Sequence, residues 1–159
     1  MYRLIAEAAA QEVRTAKSIL DIGNGGIFIF PIDHIPLVEA IDLFVDESFS
    51  ARYPEVHWRK MSVLDLEDRD RFDTIVMTNC LHHVTGRNVA QCYQNLRRIL
   101  EVTLRALKPA GKLVVIEGTD GSGRSTQIAK LSSWLESNGF AVRLMQRREV
   151  TAVWGCSYL

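Results

Sequence analysis

An open, doubly wound α/β sheet is the fold class this sequence predicts. Three observations carry that expectation. Short apolar runs alternate with longer segments of helical period along the chain, and such alternation gives a mostly parallel sheet covered on both faces. Glycine-rich turns follow two of the apolar runs, at residues 23–26 and 118–123, as they do where ligands meet the carboxyl edge of such a sheet. A length of 159 residues suits one domain with a sizeable core, so residues 1–159 are read as a single α/β unit.

The elements follow in order. Leu4, Ile5, Ala8, Ala9 and Val13 share one face of a first helix. Residues 18–22 form a short buried strand ending at Gly23, and residues 38–43 a second strand. The stretch 28–36 between them contains Pro31 and Pro36 and no helical period, so the helix that would join these strands is short or missing. Residues 56–61 form a third strand and 74–78 a fourth. A long helix over 88–107 carries Val89, Cys92, Leu96, Ile99, Leu100 and Leu104 on its inner face. Lys108, Pro109, Ala110 and Gly111 turn the chain into a fifth strand over 112–116. A helix over 124–138 presents Ile128, Leu131, Trp134 and Leu135 inward, and Gly139 caps it. Residues 141–145 and 151–158 read as a terminal hairpin, with Arg143, Arg147 and Arg148 on a solvated edge.

Composition narrows the function classes. The formal net charge is zero, which supplies no general attraction to nucleic acid or an anionic membrane. Cys80, Cys92 and Cys156 lack metal-ligand spacing, and their odd number fits a reducing, cytoplasmic setting rather than a disulfide framework. The sequence shows neither a signal peptide nor a membrane-length apolar run. Small-molecule ligands and a monomer are therefore the expectation.

The segment after the fifth strand has the makings of a phosphate site. It reads Gly118, four residues, Gly123, Arg124, Ser125, Thr126, with Asp120, Gly121 and Ser122 inside the loop. Glycines let successive backbone N–H groups turn inward on an anion, and the following helix adds the positive end of its dipole. Arg124 stands where such loops usually carry Lys; a planar fork replaces a point charge. The alternative is a glycine-rich strand-to-helix turn that binds nothing. The run VVIEGTDGSGRSTQIAKLSSWLESNGFAVRL, from Val114, resembles the start of thymidylate kinases. The resemblance implies a P-loop segment over about 113–145, with nucleotide phosphates or ATP and Mg²⁺ as ligands and Asp120 near an acceptor sugar. It covers about a fifth of the chain, and phosphoryl transfer needs several further parts, so complete kinase activity is not expected.

The first five strands resemble class I S-adenosylmethionine-dependent methyltransferases, over about residues 1–117. The carrying residues are ILDIGNGG from Ile19, EAIDLF from Glu39, RFDTIVMTNCLHHV from Arg71 and LRALKPAGKLVVIE from Leu104. The resemblance implies a Rossmann-like sheet in the order 3-2-1-4-5-7-6, its last strand antiparallel, with the P-loop after strand 5. It also implies S-adenosylmethionine as cofactor. Asp21, Gly23 and Gly25 would line its methionine and ribose side, Asp42 would hold the ribose, Ser62 and Asp65 would face the adenine, and Asn79 would lie at its edge. Asp21 and Asp42 have an alternative reading as turn-capping residues. His82 and His83 follow the fourth strand where substrates approach; either a general base or a pair of solvated histidines fits them, and no catalytic residue is assigned. Ile27 stands where the family's turn has a further glycine, and Ser62 where an acid is frequent.

The two resemblances are topologically compatible. A strand–loop–helix–strand crossover that skips one position serves both architectures, in the same right-handed sense. The reading is a chimera, in which residues 153–157 lie antiparallel beside 113–116. Three functions stay open: a methyltransferase-like binder of S-adenosylmethionine, a nucleotide- or phosphate-binding P-loop protein, and an inactive scaffold.

Overall fold

The apolar runs assemble into one seven-stranded sheet. The computed structural model describes residues 2–117, 124–147 and 150–158, with side chains for 6–81, 83–116 and 129–142. In chain order the elements are α1 (Tyr2–Val13), β1 (Ser18–Ile22), β2 (Leu37–Asp42), α2 (Glu47–Arg52), β3 (His57–Lys60), β4 (Phe72–Thr78), α3 (Val89–Ala106), β5 (Leu107–Glu117), α4 (Arg124–Ser137), β6 (Phe140–Arg147) and β7 (Val150–Tyr158). Single 3-10 turns stand at Val63–Asp65 and Leu81–His83.

The strands run β3-β2-β1-β4-β5-β7-β6. The pairs β3–β2, β2–β1, β1–β4 and β4–β5 are parallel. β7 runs antiparallel between β5 and β6, with Leu113 opposite Cys156 and Ile116 opposite Val153, the pairing expected of residues 153–157. β1 is buried at every position, which is why it reads as a continuous apolar run rather than an alternating one.

Side chains of period two divide the core between two faces. Leu20, Ile22, Ile41, Ile75, Met77, Leu113 and Val115 face α3 through Ile99, Leu100 and Leu104, and α4 through Leu135. Ile19, Val38, Ala40, Val76, Val114 and Ile116 face the other way, onto Ala9 and Val13 of α1. Residues 23–36, between β1 and β2, hold no helix. Phe30, Ile32 and Ile35 are buried there instead, so an irregular segment supplies the apolar cover that a crossover helix would give. Pro31 and Pro36 lack the N–H groups such a helix needs.

Two expectations need correction. Val89 does not face inward; it is 72% exposed, as the first residue after the N-cap Asn88, whose side chain accepts from the Gln91 N–H. The buried stretch of α3 lies toward its other end, from Ile99 to Ala106. The fifth strand also begins earlier than Lys112. Leu107 pairs with Phe72 before the register shifts to Thr74 opposite Lys112, because two buried side chains bring the chains together ahead of the turn. The turn is absorbed as an irregularity, with Ala110 at φ +60°. Gly139 caps α4 as expected, at φ +85°. The side chains of Leu4, Ile5, Ile128, Arg143, Arg147, Arg148 and Cys156, each given a place above, lie outside those described.

Polar anchors hold the amino edge. Asp73 accepts from the Lys17 and Ser18 N–H groups, the Ser18 hydroxyl and Lys108 Nζ. Burial alone would raise its pKa, but the bonds from Lys108, Ser18 and the Lys17 backbone hold it below the usual range. Glu39, 1% exposed, pairs with Arg71 and lies 3.4 Å from Arg59, and both guanidiniums also meet Asp68. Among the described residues no helix is long and apolar enough to cross a membrane.

Candidate functional site

The carboxyl ends of the parallel strands converge on one edge. Ile22 is in register with Ile41 and with Met77, Asp42 with Lys60, and Thr78 with Ile116. Every residue expected at the cofactor therefore stands at this edge: Asp21 near the end of β1 with Gly23 and Gly25 after it, Asp42 as the last residue of β2, Ser62 and Asp65 after β3, Asn79 after β4. Ligands of open α/β sheets bind along this edge, where the strand order reverses; here β1 is the strand flanked by both directions of winding.

The turn after β1 is fixed by its own backbone. Gly23, Gly25 and Gly26 have φ of +71°, +62° and +79°, a region that costs other residues a steric penalty. The Gly23 N–H donates to Ile41 O at 2.9 Å, and the Gly25 N–H to Asp42 Oδ2 at 3.0 Å. A Cβ on Gly23 would stand 2.9 Å from Cys80 Cβ, and one on Gly26 would stand 2.5 Å from the Phe49 ring. A Cβ on Gly25 would meet nothing within 4 Å. Two of the three glycines are thus required by packing, and the middle one borders open space.

Two carboxylates frame the turn. Asp42 accepts the Gly25 N–H through one oxygen and the Phe44 N–H, at 2.9 Å, through the other; a carboxylate has lone pairs to spare beyond these two bonds. Asp21 is 1% exposed. Its Oδ2 accepts from Asn24 Nδ2 at 3.0 Å, while Oδ1 is buried and has no hydrogen-bond partner among the described residues. Burial pushes its pKa up to about 7, against the opposing bonds from Asn24 and the Ile22 backbone and with a small further push from Asp42.

The remaining expected residues line the same rim. The Ser62 hydroxyl caps the turn Val63–Asp65 by accepting from the Leu64 N–H at 3.2 Å, and Asp65 is exposed at its end. Asn79 takes φ +50° and donates its N–H to Ile116 O at 2.7 Å, so the end of β4 bends sharply beside β5. His83 is exposed, and the His82 side chain lies outside the described residues. The loop residues Gly118, Asp120, Gly121, Ser122 and Gly123 also lie outside them; Arg124, Ser125 and Thr126 begin α4, with backbone alone described.

Five participants escaped the sequence reading. Asn24 bridges Asp21 and the Gly26 N–H, and Cys80 forms the wall against Gly23. Leu43 and Phe44, 59% and 78% exposed, extend an apolar surface from Asp42. Thr78 carries a buried hydroxyl with no partner among the described residues. An Asn three residues after Asp21 within a glycine turn was the available signal for the first.

Comparison with known proteins agrees with the fold. A possible exported protein from Bordetella parapertussis superposes with a TM-score of 0.69 at 12% identity, over 99% of this chain and 66% of that one. The N-methyltransferase NodS from Bradyrhizobium japonicum WM9, solved with S-adenosyl-l-homocysteine, gives 0.71 at 13% identity, over 98% of this chain and 86% of that one. A separate short segment is 53% identical, over 36 residues, to thymidylate kinase of Cyanothece sp. (strain PCC 7425 / ATCC 29141). It covers 23% of this chain, and the chain spans only 15% of that kinase. A family model described as a methyltransferase domain matches residues 20–115, more than half of the sequence, and the chain therefore belongs to the class I S-adenosylmethionine-dependent methyltransferase domains.

Proposed function

We propose that this domain binds S-adenosylmethionine and its product S-adenosylhomocysteine in the turn after β1. The observation that carries the reading is the pairing of an open Gly25 with the Asp42 carboxylate across the β1–β2 edge. The donor set suits the ligand. Asp42 has acceptor capacity for the ribose hydroxyls, Asp21 has a buried oxygen nearby with no partner among the described residues, and Leu43 and Phe44 present apolar surface on the adenine side. Ser62 and Asp65 lie toward the base and Asn79 at the ligand's edge. When bound, the cofactor supplies an electrophilic methyl group on a sulfonium; the chain's part is to bind and orient it.

The test is titration calorimetry with S-adenosylhomocysteine on the wild type and on Asp42→Ala. Removing a charged acceptor costs about 1.5–3 kcal/mol, so affinity should fall about 10- to 100-fold. Unchanged affinity in the variant overturns the reading.

A second reading has its own support, the kinase-like identity of the short segment. The sequence from Gly118 to Thr126 would bind phosphate, or ATP with Mg²⁺, at the end of β5. We infer that the chain is a chimera in which a kinase strand–loop–helix–strand unit supplies β5, α4 and β6. The antiparallel seat of β7 beside β5 supports this, since it leaves the crossover from β5 to β6 the one-strand skip that both architectures use.

A further inference from the structure

Resting on the cofactor reading above, we propose that Asn24 is a positioning residue for the S-adenosyl ligand: its side-chain amide ties the buried end of β1 to the glycine turn and so sets the pose of Gly25. Asn24 Nδ2 donates to Asp21 Oδ2 at 3.0 Å, and Asn24 Oδ1 accepts from the Gly26 N–H at 2.9 Å. One planar amide thereby spans the turn from its root to its far side. Gly25, held between these two bonds, donates to Asp42 at 3.0 Å. The chain of bonds runs from a carboxyl inside the sheet to the carboxylate at its rim.

Asn24 is a backbone-positioning group rather than a ligand contact, because both ends of its amide are already engaged within the protein. Asp21 is an unusual partner for it. It is 1% exposed and keeps one oxygen without a partner among the described residues, and the Asn24 amide is a side-chain donor to the other. Its register neighbours, Ala40 on β2 and Val76 on β4, carry no charge; Asp42 is the charged group that acts on it. Without the amide, Gly25 and Gly26 regain the wide conformational freedom of glycine, and the ligand must order the turn as it binds.

The experiment measures S-adenosylhomocysteine affinity by calorimetry from pH 6 to pH 8.5 in the full chain, with thermal unfolding confirming that each variant is folded. Asn24→Ala should weaken binding about 10-fold at every pH, the loss expected for about 1.4 kcal/mol. Asn24→Asp sets two carboxyls at hydrogen-bond distance, where a shared proton can replace the amide bond until it is lost. Its affinity should match the wild type at the acidic end and fall as pH rises. The double variant Asp21→Asn with Asn24→Asp exchanges donor and acceptor and keeps the bond without a shared proton, so its affinity should stay level from pH 6 to pH 8.5. A flat profile for Asn24→Asp, or a double variant whose affinity falls with pH as that of Asn24→Asp does, overturns the proposal while leaving the cofactor reading intact. A wild type that binds no S-adenosylhomocysteine overturns both.

Discussion

Replacing Asp21 by Asn should change how the stability of this protein depends on pH. The folded state holds Asp21 at 1% exposure with one oxygen unpaired among the described residues, and burial raises its pKa from 3.8 to about 7 despite the bonds from Asn24 and the Ile22 backbone. In the unfolded chain the same carboxyl returns to its ordinary value. Between those two values the folded protein retains a proton that the unfolded chain has released, so stability falls as pH rises. The penalty is absent below about pH 4 and complete above about pH 7, where it amounts to about 4 kcal/mol at about 1.36 kcal/mol per pH unit. Asn cannot ionise. Its NH₂ group replaces the unpaired oxygen at a cost of about 1–3 kcal/mol, but that offset is independent of pH. Asp46, Asp68 and Asp73 have lowered pKa values and lose stability as pH falls, yet they do so in both proteins and cancel from the difference. Urea unfolding of wild type and Asp21→Asn at pH 4, 6 and 8 reads that difference directly. It should move by about 4 kcal/mol in favour of the variant across the range. A constant difference would refute the buried-carboxyl argument.

Two further predictions separate packing from binding. Gly25→Ala should cost about 1 kcal/mol, the penalty of positive φ alone, and weaken S-adenosylhomocysteine binding by occupying the open space. Gly26→Ala should cost about 3 kcal/mol, because its Cβ would stand 2.5 Å from a Phe49 ring already packed on Trp58; equal melting temperatures for the two variants would contradict this. At the other edge, Arg71→Ala leaves the buried Glu39 facing Arg59 at 3.4 Å and His57 at 3.5 Å. Because Arg71 is itself 43% exposed, the loss should be about 2 kcal/mol rather than the full cost of a severed buried pair, and chemical denaturation measures it.

What the sequence made legible follows from which forces are local. β1 and β4 are apolar because both of their faces are covered, and that signal survives in a bare sequence. Asp42, Gly23 and Gly25 were legible through the family resemblance carried by ILDIGNGG and EAIDLF. The two prolines announced the absent helix between β1 and β2, but not what replaces it. Phe30, Ile32 and Ile35 lie on an irregular path with no period to read. The early start of β5 depends on Phe72 meeting Leu107, a pairing between distant residues that outweighs the local turn signal of Lys108 to Gly111. Val89 kept the helical period but fell at the exposed first turn of α3. Asn24 was overlooked because its importance comes from folding Asp21 and Gly26 onto its two ends, which composition does not reveal. Cys80 was overlooked for a similar reason, since only the folded sheet sets it against Gly23.

The central claim, that the turn after β1 with Asp42 receives an S-adenosyl ligand, is tested most directly by calorimetric titration of the full chain with S-adenosylhomocysteine and, separately, with ATP and Mg²⁺. Saturable one-to-one binding of S-adenosylhomocysteine, weakened about 10- to 100-fold in Asp42→Ala, is the expected result. Binding of ATP and Mg²⁺ with none of S-adenosylhomocysteine would contradict it, and would place the working site at the loop after β5.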